Sequence, residues 1–209
     1  MKKINSAGQA HMEVMKKVAL CGGAFSPPHL GHASLIEAIL RLFPCDEVWV
    51  MPSADRRDKK ISAPGKTRME MLEILIQELF PNSKIPILIS DFELQMNKPT
   101  ATYETLQALK ERRPDYNFHF VLGSENIDMI EAKWVNGKKL FQEANFIALK
   151  NPLIPVPNKL PPNITILDDL PWTNISSTFI RKLLIEGYSG IPYITRGVAE
   201  YIKLHSLYK

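Results

Sequence analysis

The sequence has no long apolar run and only two cysteines among its 209 residues. No apolar stretch approaches the roughly 20 residues that a membrane helix requires. The amino terminus, MKKINSAGQAHMEVMKK, is basic but lacks the apolar middle of a secretory signal. We therefore expect a cytoplasmic protein that makes no contact with a membrane.

The two cysteines, Cys21 and Cys45, are too few for a disulfide framework, and their spacing is not that of a zinc site. A free cysteine usually behaves as a small apolar residue. We therefore expect both thiols to be buried in the core.

Charge of one sign is not concentrated anywhere in the chain. Its 26 basic and 22 acidic residues give a formal net charge of +4 at pH 7. The basic residues are dispersed, and no aromatic signature of RNA binding accompanies them. This balance suits an anionic small molecule at least as well as a nucleic acid, and we expect no nucleic-acid partner.

The chain does contain a regular alternation of apolar runs and segments with helical periodicity, beginning at Val18. The predicted strands are KVALCGG, EVWVMP, PILIS, NFHFVLG, NFIAL and NITIL. The first predicted helix stops at Pro44, the second covers 67–80 and the third covers TYETLQALKERR. Residues 124–143 are predicted to form one broken helix or two short ones. Two further helices are predicted, one capped by Ser176 and ended by Gly187 and one over about 196–205. The proline-rich segment 151–162 is predicted to be a surface connection.

Several of the predicted strands are apolar without a period of two, which is typical of parallel strands covered on both faces. We therefore predict an α/β fold: a single doubly wound, Rossmann-like parallel sheet with helices on both faces and further helices at its C-terminus. Residues 1–16 are expected to form a flexible extension and residues 17–209 the domain. Ligands of such folds bind beyond the carboxyl ends of the strands.

The segment SAPGKT, at 62–67, looks like the end of a phosphate-binding P-loop. The full pattern requires a glycine at position 60, where the chain has Lys60, and a strand directly before it. We interpret the segment as a Pro-Gly turn that leads into a helix.

The segment CGGAFSPPHLGH follows the first predicted strand. His29 and His32 would supply only two of the three protein ligands that a zinc site needs, and no other histidine has a motif-like spacing to them. A phosphate site would use Gly22 and Gly23 for close approach of an anion, and the unpaired N–H groups of the following helix to bind it. A plain proline-rich turn with exposed histidines is the alternative.

The segment NISSTFIR also follows a predicted strand and begins a helix. Ser176, Ser177 and Thr178 place three hydroxyls at the helix start, and Arg181 lies one turn beyond Ser177 on the same face. An ordinary helix cap beside a solvated arginine is the alternative. Taken together, the two segments fit a nucleoside triphosphate bound between two helix starts.

GGAFSPPHLGH and ISSTFIR together resemble the paired GGxFxPxHxGH and ISSTxIR motifs of a nucleotidyltransferase superfamily, and most of all those of the bacterial nicotinate-nucleotide adenylyltransferases. The resemblance extends over nearly the whole chain from Val18. It includes EVWVMP, RMEML, ATYETLQALK, FVLGSEN, AKWVNGKKL and the C-terminal tail IPYI…VAEYIKLHSLY.

The resemblance implies transfer of AMP from ATP to the phosphate of nicotinate mononucleotide, giving deamido-NAD and pyrophosphate, a step of NAD biosynthesis. Because the attacking phosphate is already ionised, catalysis would rest on alignment and on neutralisation of charge. Mg²⁺ would bridge the ATP phosphates, held mostly by ATP and water rather than by a protein metal site.

The family's site residues carry over onto matching positions of this chain. Catalysis is assigned to His29, His32 and Arg181. ATP binding is assigned to Gly22, Gly23, Phe25, His29, His32, Gly123, Glu125, Ser176, Ser177, Thr178 and Arg181. Binding of the acceptor nucleotide is assigned to Arg57, Lys60, Thr102, Tyr103 and Trp134, with Trp134 stacking on the pyridine ring.

The chain also departs from the family. GAFSP replaces the usual GTFDP, Glu125 replaces an aspartate, and PSADRRDKK replaces PxxxPPHK beside the acceptor. Nicotinamide mononucleotide or another phosphate acceptor therefore stays an alternative, although the long insertion between the motifs and the KW segment argue against phosphopantetheine. A nucleotide-sensing or RNA-binding relative without turnover is a further alternative. A homo-oligomer is compatible with the sequence, which does not define the oligomeric state.

Overall fold

The computed structural model describes residues 15–54, 61–96, 98–157, 160–171 and 173–209. Within these residues, six strands form one sheet in which all neighbouring strands are parallel. They are β1 (Lys16–Gly23), β2 (Glu47–Pro52), β3 (Ile87–Ile89), β4 (Tyr116–Gly123), β5 (Asn145–Leu149) and β6 (Ile164–Leu167). Their spatial order is β3-β2-β1-β4-β5-β6, so the predicted doubly wound α/β fold is confirmed. β1 begins one residue before the predicted start of the domain.

The helices of the described chain alternate with the strands. They are α1 (Leu30–Leu42), α2 (Gly65–Leu79), α3 (Phe92–Gln95), α4 (Thr102–Arg112), α5 (Ile127–Lys133), α6 (Gly137–Glu143), α7 (Ser177–Ile185) and α8 (Arg196–Leu204), with a 3₁₀ turn at Ser124–Asn126. The broken helix over 124–143 is confirmed, whereas α3 was not predicted. None of the helices in this part of the chain is both long and apolar enough to cross a membrane.

Alternate residues of β1 face opposite helix layers, which explains why the strand is apolar without a period of two. Ala19 and Cys21 pack in one cluster with Ile39 of α1. Val18 and Leu20 pack on the other face with Leu109 of α4. Both faces of the sheet are therefore covered.

The C-terminal helices form a further apolar cluster with α2. Met71 of α2, Ile180 of α7 and Val198 of α8 are each completely buried in it. The amide of Gly197 also donates a hydrogen bond of 2.9 Å to the carboxylate of Glu78. These contacts bring the end of the chain back to the carboxyl edge of the sheet.

Helix α7 begins and ends as the sequence predicts. The Ser176 hydroxyl accepts a hydrogen bond of 3.2 Å from the amide of Phe179 and caps the helix. Gly187 adopts φ +88° just beyond the last turn, a conformation that glycine tolerates better than other residues. The cap at Ser176 and the glycine at 187 therefore define where α7 starts and ends.

The two cysteines differ in exposure. Cys21 lies inside β1 and is buried, as predicted. Cys45 lies in the turn between α1 and β2 and is only partly buried, so the prediction of full burial was wrong for it. The turn carries Cys45 to the rim of the core, where the chain reaches the surface.

Candidate active site

The two predicted anion-binding segments meet at the carboxyl edge of the sheet. The loop after β1 leads directly into α1, and Gly23 at the end of β1 lies beside Pro52 at the end of β2. β1 and β4 are neighbours at the point where the strand order reverses, which is where such sheets bind ligands. This crevice is the candidate active site.

His29 and His32 form a close pair at the start of α1. Their ring centroids lie 3.7 Å apart with the ring planes nearly parallel. The His29 amide donates a hydrogen bond of 3.1 Å to Nδ1 of His32. Because Nδ1 of His32 accepts this hydrogen bond, neutral His32 carries its proton on Nε2, where it is available to a ligand.

Burial keeps both imidazoles uncharged in the structure. It lowers the pKa of His29 to about 4, and Nδ1 of this ring has no hydrogen-bond partner within the described chain. The pKa of His32 is lowered well below its usual value by burial first and by the neighbouring His29 second. A bound anion would reverse this balance, because nearby negative charge favours the protonated imidazole.

Gly23 and Gly31 lack side chains where neighbouring aromatic rings pack against the backbone. A Cβ on Gly31 would lie 3.0 Å from Nδ1 of His29, and one on Gly23 would lie 3.1 Å from the Phe25 ring. Phe25 is buried, and its ring centroid lies 4.7 Å from that of His32. Phe25 also has φ +48°, which is uncommon for a bulky residue and frequent at functional sites.

Helix α7 is attached to this loop through backbone carbonyls. The Arg181 guanidinium donates a hydrogen bond of 2.7 Å to the carbonyl of Ser26, and it also donates one of 3.0 Å to the Thr178 hydroxyl. The Ser177 hydroxyl donates one of 2.9 Å to the carbonyl of Pro27. The structure thus brings GGAFSPPHLGH and ISSTFIR together, as the sequence analysis expected.

Glu125 lies just beyond the end of β4. The Asn126 amide group donates to its Oε1 at 3.3 Å and to the carbonyl of Gly123 at 3.3 Å. Oε2 of Glu125 is buried without a hydrogen-bond partner among the described residues. An unpaired buried acceptor is costly, so this oxygen suits a hydroxyl donor on a ligand.

A cavity of about 560 Å³ adjoins the loop and is called the Trp134 cavity below. Its walls include Gly22 and Gly23 at the end of β1, Thr102 at the start of α4, and Lys133 and Trp134 at the end of α5. The rings of Trp134 and Phe120 are nearly perpendicular, with a centroid distance of 6.2 Å. The residues that line the cavity therefore include an aromatic ring, a hydroxyl and a cation.

The predicted acceptor residues are only partly brought together. Thr102 and Trp134 line the Trp134 cavity, whereas Tyr103 lines a separate groove, where its hydroxyl donates a hydrogen bond of 3.3 Å to Glu143. The structure therefore does not place Tyr103 with Thr102 and Trp134, because consecutive residues of a helix point in different directions. Arg57 and Lys60 lie outside the described residues.

Sequence reasoning missed the buried Arg68 of α2, which is 2% exposed. Its guanidinium donates hydrogen bonds of 2.8 Å to the carbonyl of Ala24, 2.8 Å to that of Ser53 and 3.0 Å to that of Ala63. It thereby links the loops after β1 and β2 to the start of α2. Its place in the apolar stripe with Met71, Leu72 and Leu75 is the signal that could have identified it.

Glu93 of α3 is a second buried ionisable group that the sequence analysis missed. Its carboxylate accepts a hydrogen bond of 2.7 Å from the Thr105 hydroxyl and lines the Trp134 cavity. Burial raises the pKa of Glu93, and its hydrogen bonds and Arg68 partly offset that rise. Glu93 therefore fixes α3 against α4 at the floor of the cavity.

No group of three or more potential metal-ligating side chains occurs within the described residues.

Comparison with known proteins agrees with this geometry. A family model described as cytidylyltransferase-like matches residues 20–183. The chain is 31% identical over 196 residues to a probable nicotinate-nucleotide adenylyltransferase of Lactococcus lactis, covering 93% of this chain and 96% of that protein. It is 30% identical over 196 residues to a protein of the same name from Lactiplantibacillus plantarum, covering 93% and 89%. The structure of Plasmodium falciparum nicotinic acid mononucleotide adenylyltransferase complexed with NaAD matches with a TM-score of 0.77 and 29% identity, covering 92% of this chain and 97% of that chain.

Proposed function

The chain belongs to the nicotinate-nucleotide adenylyltransferase family of cytidylyltransferase-like proteins, and from this premise we propose that it transfers AMP from ATP to nicotinate mononucleotide, releasing pyrophosphate. The observation that carries the proposal is the attachment of Arg181 and Ser177 to the carbonyls of Ser26 and Pro27. It joins two phosphate-binding segments from opposite ends of the chain into one site. The adjoining Trp134 cavity supplies room for the second nucleotide.

The reaction would need alignment and charge neutralisation rather than a general base. The acceptor phosphate is an anion and attacks the α-phosphorus of ATP, and the bond to the leaving pyrophosphate breaks. Arg181 and the amide groups at the start of α7 would hold the β- and γ-phosphates, together with the hydroxyls of Ser176 and Thr178. The hydroxyl proton of Ser177 is already donated to the carbonyl of Pro27, so Ser177 would contribute through its backbone amide. Donors fixed before the substrate arrives cost little reorganisation during the reaction.

His32 would act where charge develops on the α-phosphate. Its Nε2–H is free to donate because its Nδ1 accepts from the His29 amide. Its pKa is low in the unliganded site, and the triphosphate would raise it, so the ring would gain positive charge only beside phosphate. His29, stacked on His32, would respond in the same way.

Mg²⁺ would enter with ATP. The ion prefers oxygen ligands and keeps several waters, and the phosphates supply the oxygens. When bound, it would neutralise charge on the triphosphate and the leaving pyrophosphate.

The buried Oε2 of Glu125 would accept a hydrogen bond from a ribose hydroxyl of ATP.

The acceptor would lie in the Trp134 cavity. Trp134 offers its ring to the pyridine, and Thr102 and Lys133 offer a hydroxyl and a cation to the nicotinate carboxylate. The Plasmodium falciparum relative, solved in complex with NaAD, supports binding of a nucleotide substrate by this chain.

One assay tests the reaction and its acceptor. The protein is incubated with Mg-ATP and either nicotinate or nicotinamide mononucleotide, and chromatography follows dinucleotide and pyrophosphate. We expect deamido-NAD from the nicotinate substrate at the higher rate. No product from either substrate would refute an adenylyltransferase for these acceptors, and equal rates would refute selection of the carboxylate.

A substitution tests the role of His32. His32→Ala should lower kcat by about 10²-fold, as expected for loss of a positioned donor to developing charge. Glu37→Ala, at a half-exposed position of the same helix, is the matched control and should leave kcat unchanged. A normal kcat for His32→Ala would show that His32 does not stabilise the transition state.

A further inference from the structure

The last residues of the chain fold back after α8 towards the phosphate site. The amide of Leu207 donates a hydrogen bond of 3.0 Å to the carbonyl of Ile202, and that of Ser206 donates one of 3.2 Å to the carbonyl of Lys203. Tyr208 then adopts φ +59°. A bulky residue rarely adopts this left-handed conformation unless other contacts hold it there.

Two contacts hold Tyr208. Its ring packs against the apolar cluster shared by α2, α7 and α8. Its hydroxyl lies 3.0 Å from the hydroxyl of Ser26, 182 residues away in the sequence. Ser26 is 1% exposed, so little water can reach its hydroxyl as an alternative partner.

Ser26 is also the residue whose carbonyl accepts the hydrogen bond from Arg181. The side chain of Ser26 is therefore held by the C-terminal tail, and its backbone holds the guanidinium that faces the triphosphate in the proposed function. Arg68 and Arg181 both lie close enough to oppose the rise in the pKa of Tyr208 that its burial causes.

The residue at position 26 is a departure from the family motif, in which GTFDP has an aspartate where this chain has Ser26. A carboxylate beside Arg181 would neutralise part of the positive charge offered to the phosphates. A pair of neutral hydroxyls fixes the loop without that loss.

We propose that Tyr208 is a positioning residue for the ATP site, which acts by holding Ser26 and, through its carbonyl, Arg181. The inference rests on the proposed function only in taking the anion bound by Arg181 to be the triphosphate. Tyr208 touches no reacting atom in this scheme. Its effect should therefore appear in the affinity for ATP rather than for the acceptor.

The test is Tyr208→Phe, which keeps the packed ring and removes only the hydroxyl. Isothermal titration calorimetry measures the affinity for Mg-ATP, and steady-state kinetics measures KM for each substrate. Without the hydroxyl pair Ser26 no longer fixes Arg181, and loss of one charge-assisted hydrogen bond from Arg181 to phosphate should weaken Mg-ATP binding by about tenfold, with KM for nicotinate mononucleotide unchanged. An unchanged Mg-ATP affinity, with only a lower melting temperature, would mean that the contact is merely structural and would overturn the proposal.

A double-mutant cycle identifies the route of the effect. If the hydroxyl pair is responsible, Ser26→Ala and the double variant should each weaken Mg-ATP binding about as much as Tyr208→Phe does alone. Additive losses would show that Tyr208 acts by another route and would contradict the proposal. Tyr188→Phe, at a 64% exposed position near α7, is the matched control and should bind Mg-ATP as the native chain does.

The binding measurement separates this proposal from the proposed function. If the native chain binds Mg-ATP but forms no dinucleotide, the adenylyltransferase assignment fails while the tenfold effect of Tyr208→Phe can still be observed. If the native chain forms deamido-NAD and Tyr208→Phe binds Mg-ATP normally, only the role of Tyr208 is refuted.

Discussion

The burial of His29 predicts that the unliganded protein loses stability in mild acid. Its pKa is about 4 in the folded chain and 6.5 in the unfolded one, so the unfolded chain takes up a proton first as the pH falls. The stabilisation is complete above pH 6.5 and is lost progressively towards pH 4. At pH 5.5, linkage gives a loss of about 1.4 kcal/mol from this residue alone.

Urea unfolding at pH 7.5 and pH 5.5 measures this loss. The comparison variant is His29→Asn, because asparagine suits a helix N-cap and does not titrate. Between the two pH values the native chain should lose about 1.4 kcal/mol more than His29→Asn. His32 remains in both proteins and shifts both curves in the same direction. Equal losses in the two proteins would refute a buried, neutral His29.

The same residue predicts how ATP binding responds to pH. A triphosphate beside the ring raises the pKa of His29, so binding near pH 6 should take up protons and strengthen as the pH falls. Calorimetry in two buffers of different ionisation enthalpy measures that uptake, which should be smaller in His29→Asn. Binding without proton uptake in the native chain would exclude a phosphate close to His29.

Two further substitutions test the supports of the site. Arg68→Met should lower the free energy of unfolding by about 3 kcal/mol or more, because buried carbonyls lose a charged donor. Arg41→Met removes two exposed ion pairs, with Glu37 and Asp169, and should cost much less in the same urea experiment. Equal costs would contradict the role of Arg68. Lys133→Ala should raise KM for nicotinate mononucleotide by about tenfold or more, the value of one charge-assisted contact, and leave Mg-ATP affinity unchanged. An unaltered KM would exclude Lys133 from the acceptor site.

The sheet and the principal helices could be predicted because their signals are local. Apolar strands and amphipathic helices repeat over enough residues to define a period. Helix α3 was missed because the single turn Phe92–Gln95 is too short to show one. The edge strand β3 was predicted, but only Ile87–Ile89 pair with β2, and Leu88 is exposed on it.

The site was predictable where its chemistry is concentrated in short motifs, and not where it depends on distant packing. Glycines, histidines and hydroxyls at two strand ends identify the anion-binding segments. Arg68 shares the helical spacing of the buried Met71, Leu72 and Leu75, but that spacing does not show that its guanidinium donates to the carbonyls of two loops. The contact of Tyr208 with Ser26 joins the two ends of the domain, so only the folded chain shows it.

His29 and His32 add no positive charge to the unliganded site, because the two rings lie close together in a buried pocket. Two protonated imidazoles 3.7 Å apart in a buried pocket would repel each other and lose their hydration. The rings therefore stay neutral, and the pair depends on a ligand to become charged. A nearby negative charge favours the protonated imidazole. We therefore expect the pair, beside Arg181, to bind a triphosphate more tightly than analogues that carry less negative charge.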